Sequence, residues 1–94
     1  MAYMLVRHKV KDFKQWKPYF DEDAKRRKSG GSKGGFLYRN SDDPNEVFLL
    51  FKWDKLENAK KFQNREDLRD LMIKAGVSDN PDMYLIEEVE KLSA

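Results

Sequence analysis

The stretch VFLLFKW, residues 47–53, decides the fold. Side chains alternate across an extended chain, so Val47, Leu49, Phe51 and Trp53 share one face while Phe48 and Leu50 share the other. A strand that is apolar on both faces belongs in the middle of a sheet covered on both sides. Immediately upstream, SDDPNE (41–46) reads as a turn, with the fixed φ of Pro44 suited to its first central position. FLYRN (36–40) is then the other arm of a hairpin.

Further from this centre, the periodicity changes twice. YMLVRHKV (3–10) alternates, placing Met4, Val6, His8 and Val10 on one face and Tyr3, Leu5, Arg7 and Lys9 on the other. Asp12 then opens a helix, with Gln15 at capping-box spacing, and Phe13, Trp16, Phe20 and Ala24 fall along one stripe facing the sheet. Pro18 lacks the N–H that bonds back to residue 14, which predicts a kink or a loose first turn. The helix should end before SGGSKGG (29–35). Downstream of VFLLFKW, Asp54 and Glu57 repeat the capping-box spacing before a helix that restarts near Asn64 and carries Leu68, Leu71, Met72 and Ala75. Gly76 marks its stop, and MYLIEEVEKL (83–92) begins as a strand.

The order is β-α-β-β-α-β, a ferredoxin-like α+β fold with a four-stranded antiparallel sheet and both helices on one side. At 94 residues the whole chain, 1–94, is expected to be a single domain. In this topology the first and third strands are central. Phe48 and Leu50 then lie on the face without helices, where an apolar patch marks an interface. The expected partner is a second copy, giving a homodimeric α/β barrel with the helices outside.

Composition excludes several function classes. Nineteen Lys and Arg against seventeen Asp and Glu leave a formal charge of +2, with the signs interleaved, unlike the concentrated basic face of a nucleic-acid binder. With no cysteine there is no disulfide, thiolate nucleophile or Cys-ligated metal, in keeping with a reducing compartment. The opening MAYMLVRHKV meets charge early, and nothing approaches the ~20 apolar residues of a membrane span, so a cytoplasmic protein without membrane contact is expected.

His8, the sole histidine, has two readings: a general base, or a buried and hydrogen-bonded core residue. Taken alone, its isolation from any second histidine or cysteine favours the core reading and argues against a metal site, so none is expected. Trp16, Phe20, Phe51 and Trp53, with Phe62, either fill a solid core or wall an aromatic pocket in which His8 is the polar contact. KRRK (25–28) sits where cations complement the negative end of a helix dipole. GGSKGG runs from helix to strand, the reverse of a phosphate-binding loop, and serves as a turn. KGGFLY (33–38) superficially matches an RNA-recognition motif, but Gly35 takes its first aromatic position and the run lies on the second strand. No nucleic-acid partner is expected.

VFLLFKWDKLENAKKF (47–62), with a strand-ending tryptophan followed by polar residues and an amphipathic helix, is similar to the same segment in the antibiotic-biosynthesis-monooxygenase-like domains of the dimeric α/β-barrel superfamily. The resemblance runs from Val6 to about Glu88. RHKVKDFKQWKPYFDE (7–22) and RNSDDPNEV (39–47) also look like a subgroup of small cyclase-like proteins. It implies a homodimer binding a small apolar or aromatic molecule, either as a cofactor-independent monooxygenase-, isomerase- or cyclase-like enzyme or as a non-catalytic structural or ligand-sensing module. Two departures restrict it. The cofactor-independent monooxygenases carry an asparagine four residues before the tryptophan, where this chain has Leu49. Haem-degrading members use a strand-one asparagine and a helical histidine, and this chain has neither, so no cofactor is expected.

Overall fold

The computed structural model describes residues 2–94, so Met1 lies outside the described residues. In chain order they form β1 (Ala2–Lys9), α1 (Phe13–Glu22), α2 (Ala24–Ser29), β2 (Ser32–Asn40), β3 (Asp43–Trp53), α3 (Leu56–Gln63), α4 (Leu68–Lys74) and β4 (Asp82–Ile86). The antiparallel sheet has the order β2-β3-β1-β4, so β1 and β3 are central, as the doubly apolar 47–53 run requires.

The first expected helix is broken into two, and the second, expected to restart near Asn64, resumes at Leu68. The first runs through Pro18 and breaks at Asp23 instead. Lys14 and Pro18 are both exposed, so the carbonyl freed by the missing N–H lies on the solvated side of α1. At the break, the Asp23 carboxylate accepts two hydrogen bonds from Arg65, each 2.9 Å. Asp12 caps α1 as expected, accepting from the Lys14 N–H. The second expected cap does not form. Asp54 accepts a side-chain hydrogen bond from Asn58 (2.9 Å) and its N–H donates to the Gly31 carbonyl, leaving Lys55 to start α3. Gly76, at φ +86°, ends α4 with bonds from the N–H groups of Gly76 to Ile73 and of Val77 to Met72, a Schellman closure.

The hairpin is tighter than its sequence suggests. Only Ser41 and Asp42 turn, and Pro44 lies in β3 ahead of the β1 pairing that begins at Glu46. The glycine run is likewise mostly strand, with a register shift between Ser32 and Gly35.

All four helices cover one face. Met4, Val6, Val47, Leu49, Phe51 and Trp53 from the sheet meet Trp16, Ala59 and Ala75 in a single buried cluster. On the other face the register sets Leu50 between Leu5 and Phe36, and Phe48 between Arg7 and Tyr38, with Tyr84 beyond Leu5 and Ile86 beside Tyr3. Phe36, Tyr38, Tyr84 and Ile86 are exposed. Arg7, within this band, is matched by Glu46 and Asp79, and Lys52 follows Leu50 on the same face, opposite Tyr3.

Candidate functional site

Strand alternation turns His8 inward, where it is 2% exposed. One turn after its cap, α1 brings Trp16 edge-on to the imidazole, with ring centres 5.7 Å apart. Phe20, a turn later, stacks on Trp16 at 5.0 Å and approaches Phe51 at 6.2 Å. The series continues from Phe51 to Trp53 at 6.4 Å and from Trp53 to Phe62 at 5.1 Å. Such pairs each contribute about 0.5–1.5 kcal/mol beyond their buried area, so the row rigidifies the layer between sheet and helices.

These rings do not surround one cavity. His8, Trp16 and Phe20 border a pocket of about 60 Å³, room for one or two water molecules. Phe20 and Phe51 wall a separate, half-open cleft of about 680 Å³ between α1–α2 and the β2–β3 edge. Trp53 is fully buried at the far end, beside a shallow hollow near Gly30 and Asn58. Phe20, Arg27 and Leu49 touch both the small pocket and the cleft and form the partition between them. His8 Nδ1 and Trp53 Nε1 are buried without a hydrogen-bond partner among the described residues.

Burial is the main influence on His8 and holds its pKa below the ordinary histidine value, against the opposing charge of Asp79. The imidazole is therefore held in its neutral form. The same shift makes a stability prediction. An unfolded histidine takes up its proton near pH ~6.5, whereas folded His8 does so only at lower pH. Below about pH 6.5 the unfolded chain binds the extra proton, so this residue costs stability as the pH falls, by at most ~1.4 kcal/mol per pH unit. Urea denaturation at pH 7.5 and 5.5 should show a larger loss for the wild type than for His8→Gln. Identical losses would mean that folding leaves the histidine pKa where it was.

Arg27 is the residue that sequence reasoning placed elsewhere. It continues the Phe13, Trp16, Phe20, Ala24 stripe at helical spacing, a signal masked by its position within KRRK. Its guanidinium carbon lies 3.9 Å from the Phe20 ring centre and 5.6 Å from that of Phe51. Nη1 donates to the Phe20 carbonyl at 2.9 Å and lies 3.5 Å from Asp23. Burial lowers its pKa from the usual arginine range, opposed by Asp23 and Asp21, and the group stays charged. Arg65 shares Asp23 and also binds Asp67, which pairs with Arg26. Burial opposes the Arg65 charge, but the bonds to Asp23 and Asp67 outweigh it and raise its pKa.

The cleft therefore joins aromatic walls to a cationic lining of Arg27, Lys28 and Lys33, with no carboxylate among its lining residues. Among the described residues, no group of three His, Cys, Asp or Glu side chains is placed to hold a metal ion, and no helix is long and apolar enough to cross a membrane.

No family model and no curated protein sequence matches the chain. Solved structures do share its fold. SnoaB, a cofactor-independent oxygenase from Streptomyces nogalater, superposes with a TM-score of 0.78 at 13% identity, over 99% of this chain and 97% of that one. An antibiotic biosynthesis monooxygenase gives 0.72 at 15% identity, over 96% and 100%. A Mycobacterium tuberculosis protein gives 0.72 at 9% identity, over 98% of both chains. The chain has the ferredoxin-like fold of the antibiotic biosynthesis monooxygenases.

Proposed function

We propose that the protein is a homodimer that binds a small, flat, largely aromatic molecule in the cleft walled by Phe20 and Phe51. The observation that carries this reading is the cleft itself: about 680 Å³ lies within the range of small-molecule sites, and its walls are rings held in place by a continuous aromatic row. The cofactor-independent oxygenase activity of SnoaB, on the same fold, supports a site for a reacting molecule in this chain. The open sheet face supports the dimer, since Leu5, Phe36, Phe48, Leu50 and Tyr84 form one apolar band with no helix or strand of the described residues over it.

A reaction assigned to this site is proton abstraction from the bound molecule, followed by reaction of the carbanion with dioxygen, by isomerisation or by cyclisation. Its base is His8, neutral and with Nδ1 unpartnered, which a ligand in the cleft reaches only if the Phe20–Arg27–Leu49 partition opens to it. The 2% exposure of His8 supports a second reading, a ligand-sensing module without turnover. The two differ in what His8→Gln does.

Thermal unfolding with a panel of two- and three-ring aromatics tests the binding reading. A ligand at a hundred times its Kd stabilises the folded state by ~2.7 kcal/mol. Because Trp16 stacks on Phe20, bound aromatics should also change tryptophan emission. Phe20→Leu should weaken binding by about tenfold, the loss of one aromatic contact face. Absence of any thermal shift across the panel would end the binding reading. Turnover lost in His8→Gln with binding intact would establish the base, and binding without turnover in the wild type would establish the sensor.

A further inference from the structure

We propose that the cleft selects aromatic carboxylates, with Arg27 as the residue that receives the carboxylate. The proposal rests on the binding reading above and adds the charge of the ligand. Arg27 is 8% exposed, and a cation taken so far out of water needs a partner. Within the fold it has only a share of one. Asp23 is held by the two-bond fork of Arg65, and Asp67 is shared by Arg65 and Arg26, so three arginines face two aspartates. Asp21, the further carboxylate acting on Arg27, is paired with Lys17.

Geometry leaves the guanidinium ready for an anion. Nη1 is fixed by the Phe20 carbonyl, and the Phe20 ring lies 3.9 Å from the guanidinium carbon. Nε and Nη2 make no hydrogen bond among the described residues and are not sealed from solvent. That free edge matches a carboxylate with two parallel N–H···O bonds. Lys28 and Lys33 add positive charge to the same cleft, and no acidic side chain lines it. A neutral aromatic would fill the walls and leave Arg27 with only its share of Asp23.

Calorimetric titration with 2-naphthoate and its neutral isostere 2-naphthamide tests the assignment. The wild type should bind the naphthoate about tenfold more tightly, the difference made by a charge-assisted bidentate pair. Arg27→Gln should bring the two within about twofold, and Arg27→Lys, which keeps the charge without the fork, should restore only part of the preference. Lys28→Ala and Lys33→Ala should change it by less than about threefold, as solvent-screened charges do. Equal binding of both probes to the wild type, or a preference that survives Arg27→Gln, would overturn the assignment and leave the cleft a binding site. Binding of neither probe would overturn both. Should Arg27→Gln fail to fold, the wild-type comparison and Arg27→Lys still separate these outcomes.

Discussion

Replacing Leu50 with glutamate should convert a particle of twice the 11.2 kDa chain mass into one of 11.2 kDa in light scattering at micromolar concentration. Leu50 lies at the middle of the uncovered sheet face, between Leu5 on β1 and Phe36 on β2. In a two-fold interface the same patch meets itself, so each substitution enters twice. Closing an ionised carboxylate into that largely apolar band costs free energy even with Arg7 and Lys52 nearby, and each ~1.4 kcal/mol weakens association tenfold. The protomer should keep its fold. Leu50 is only partly covered within one chain, and the buried cluster lies on the opposite side of the sheet. Unchanged far-ultraviolet circular dichroism beside halved mass is the expected pair of results. A wild type already at 11.2 kDa under these conditions would dispose of the dimer.

Two adjacent glycines should behave very differently. A Cβ at Gly35 would stand 1.8 Å from the Leu50 carbonyl oxygen on the neighbouring strand, and neither backbone can retreat without breaking the β2–β3 ladder. Gly35→Ala should cost about 3 kcal/mol or more, at the upper end of overpacking effects. In a chain of this size that lowers Tm by about 12 °C or more. Gly34, at φ +94°, has nothing within 4 Å of the added atom, so Gly34→Ala should cost only about 1–2 kcal/mol of backbone strain. Differential scanning calorimetry of the two variants is sufficient. Similar losses would show that the strands do not approach so closely at Gly35.

Much of this architecture could be read from particular residues. The alternation of VFLLFKW put β3 at the centre and separated Leu49 and Phe51 from Phe48 and Leu50, and the register places them so. The stripe from Phe13 to Ala24 set the helix over His8, and Trp16 meets that ring. Other features depend on partners far along the chain. The break at Asp23 coincides with a fork from Arg65, whose place no local pattern marks. Asp54 had the spacing of a cap, yet its bonds go to Asn58 and, through its N–H, to Gly31 on the approach to β2. The glycine run looked like a turn, while Gly35 permits a close strand approach that only the pairing with Leu50 reveals.

Of the candidate site, the sequence by itself determined which side chains turn inward, because the two- and 3.6-residue repeats act along one dimension and sort each residue by face. His8, Trp16, Phe20, Phe51 and Trp53 all belong to the helix-covered side of the sheet for that reason. Only the tertiary structure decided that these residues line separate spaces, that Trp53 lies at the far end, and that Arg27 borders both the pocket and the cleft. A cavity is the volume left between layers after packing, and the compensation of a buried charge depends on residues brought together from distant segments. Both are properties of distance in space, which periodicity along a chain does not encode.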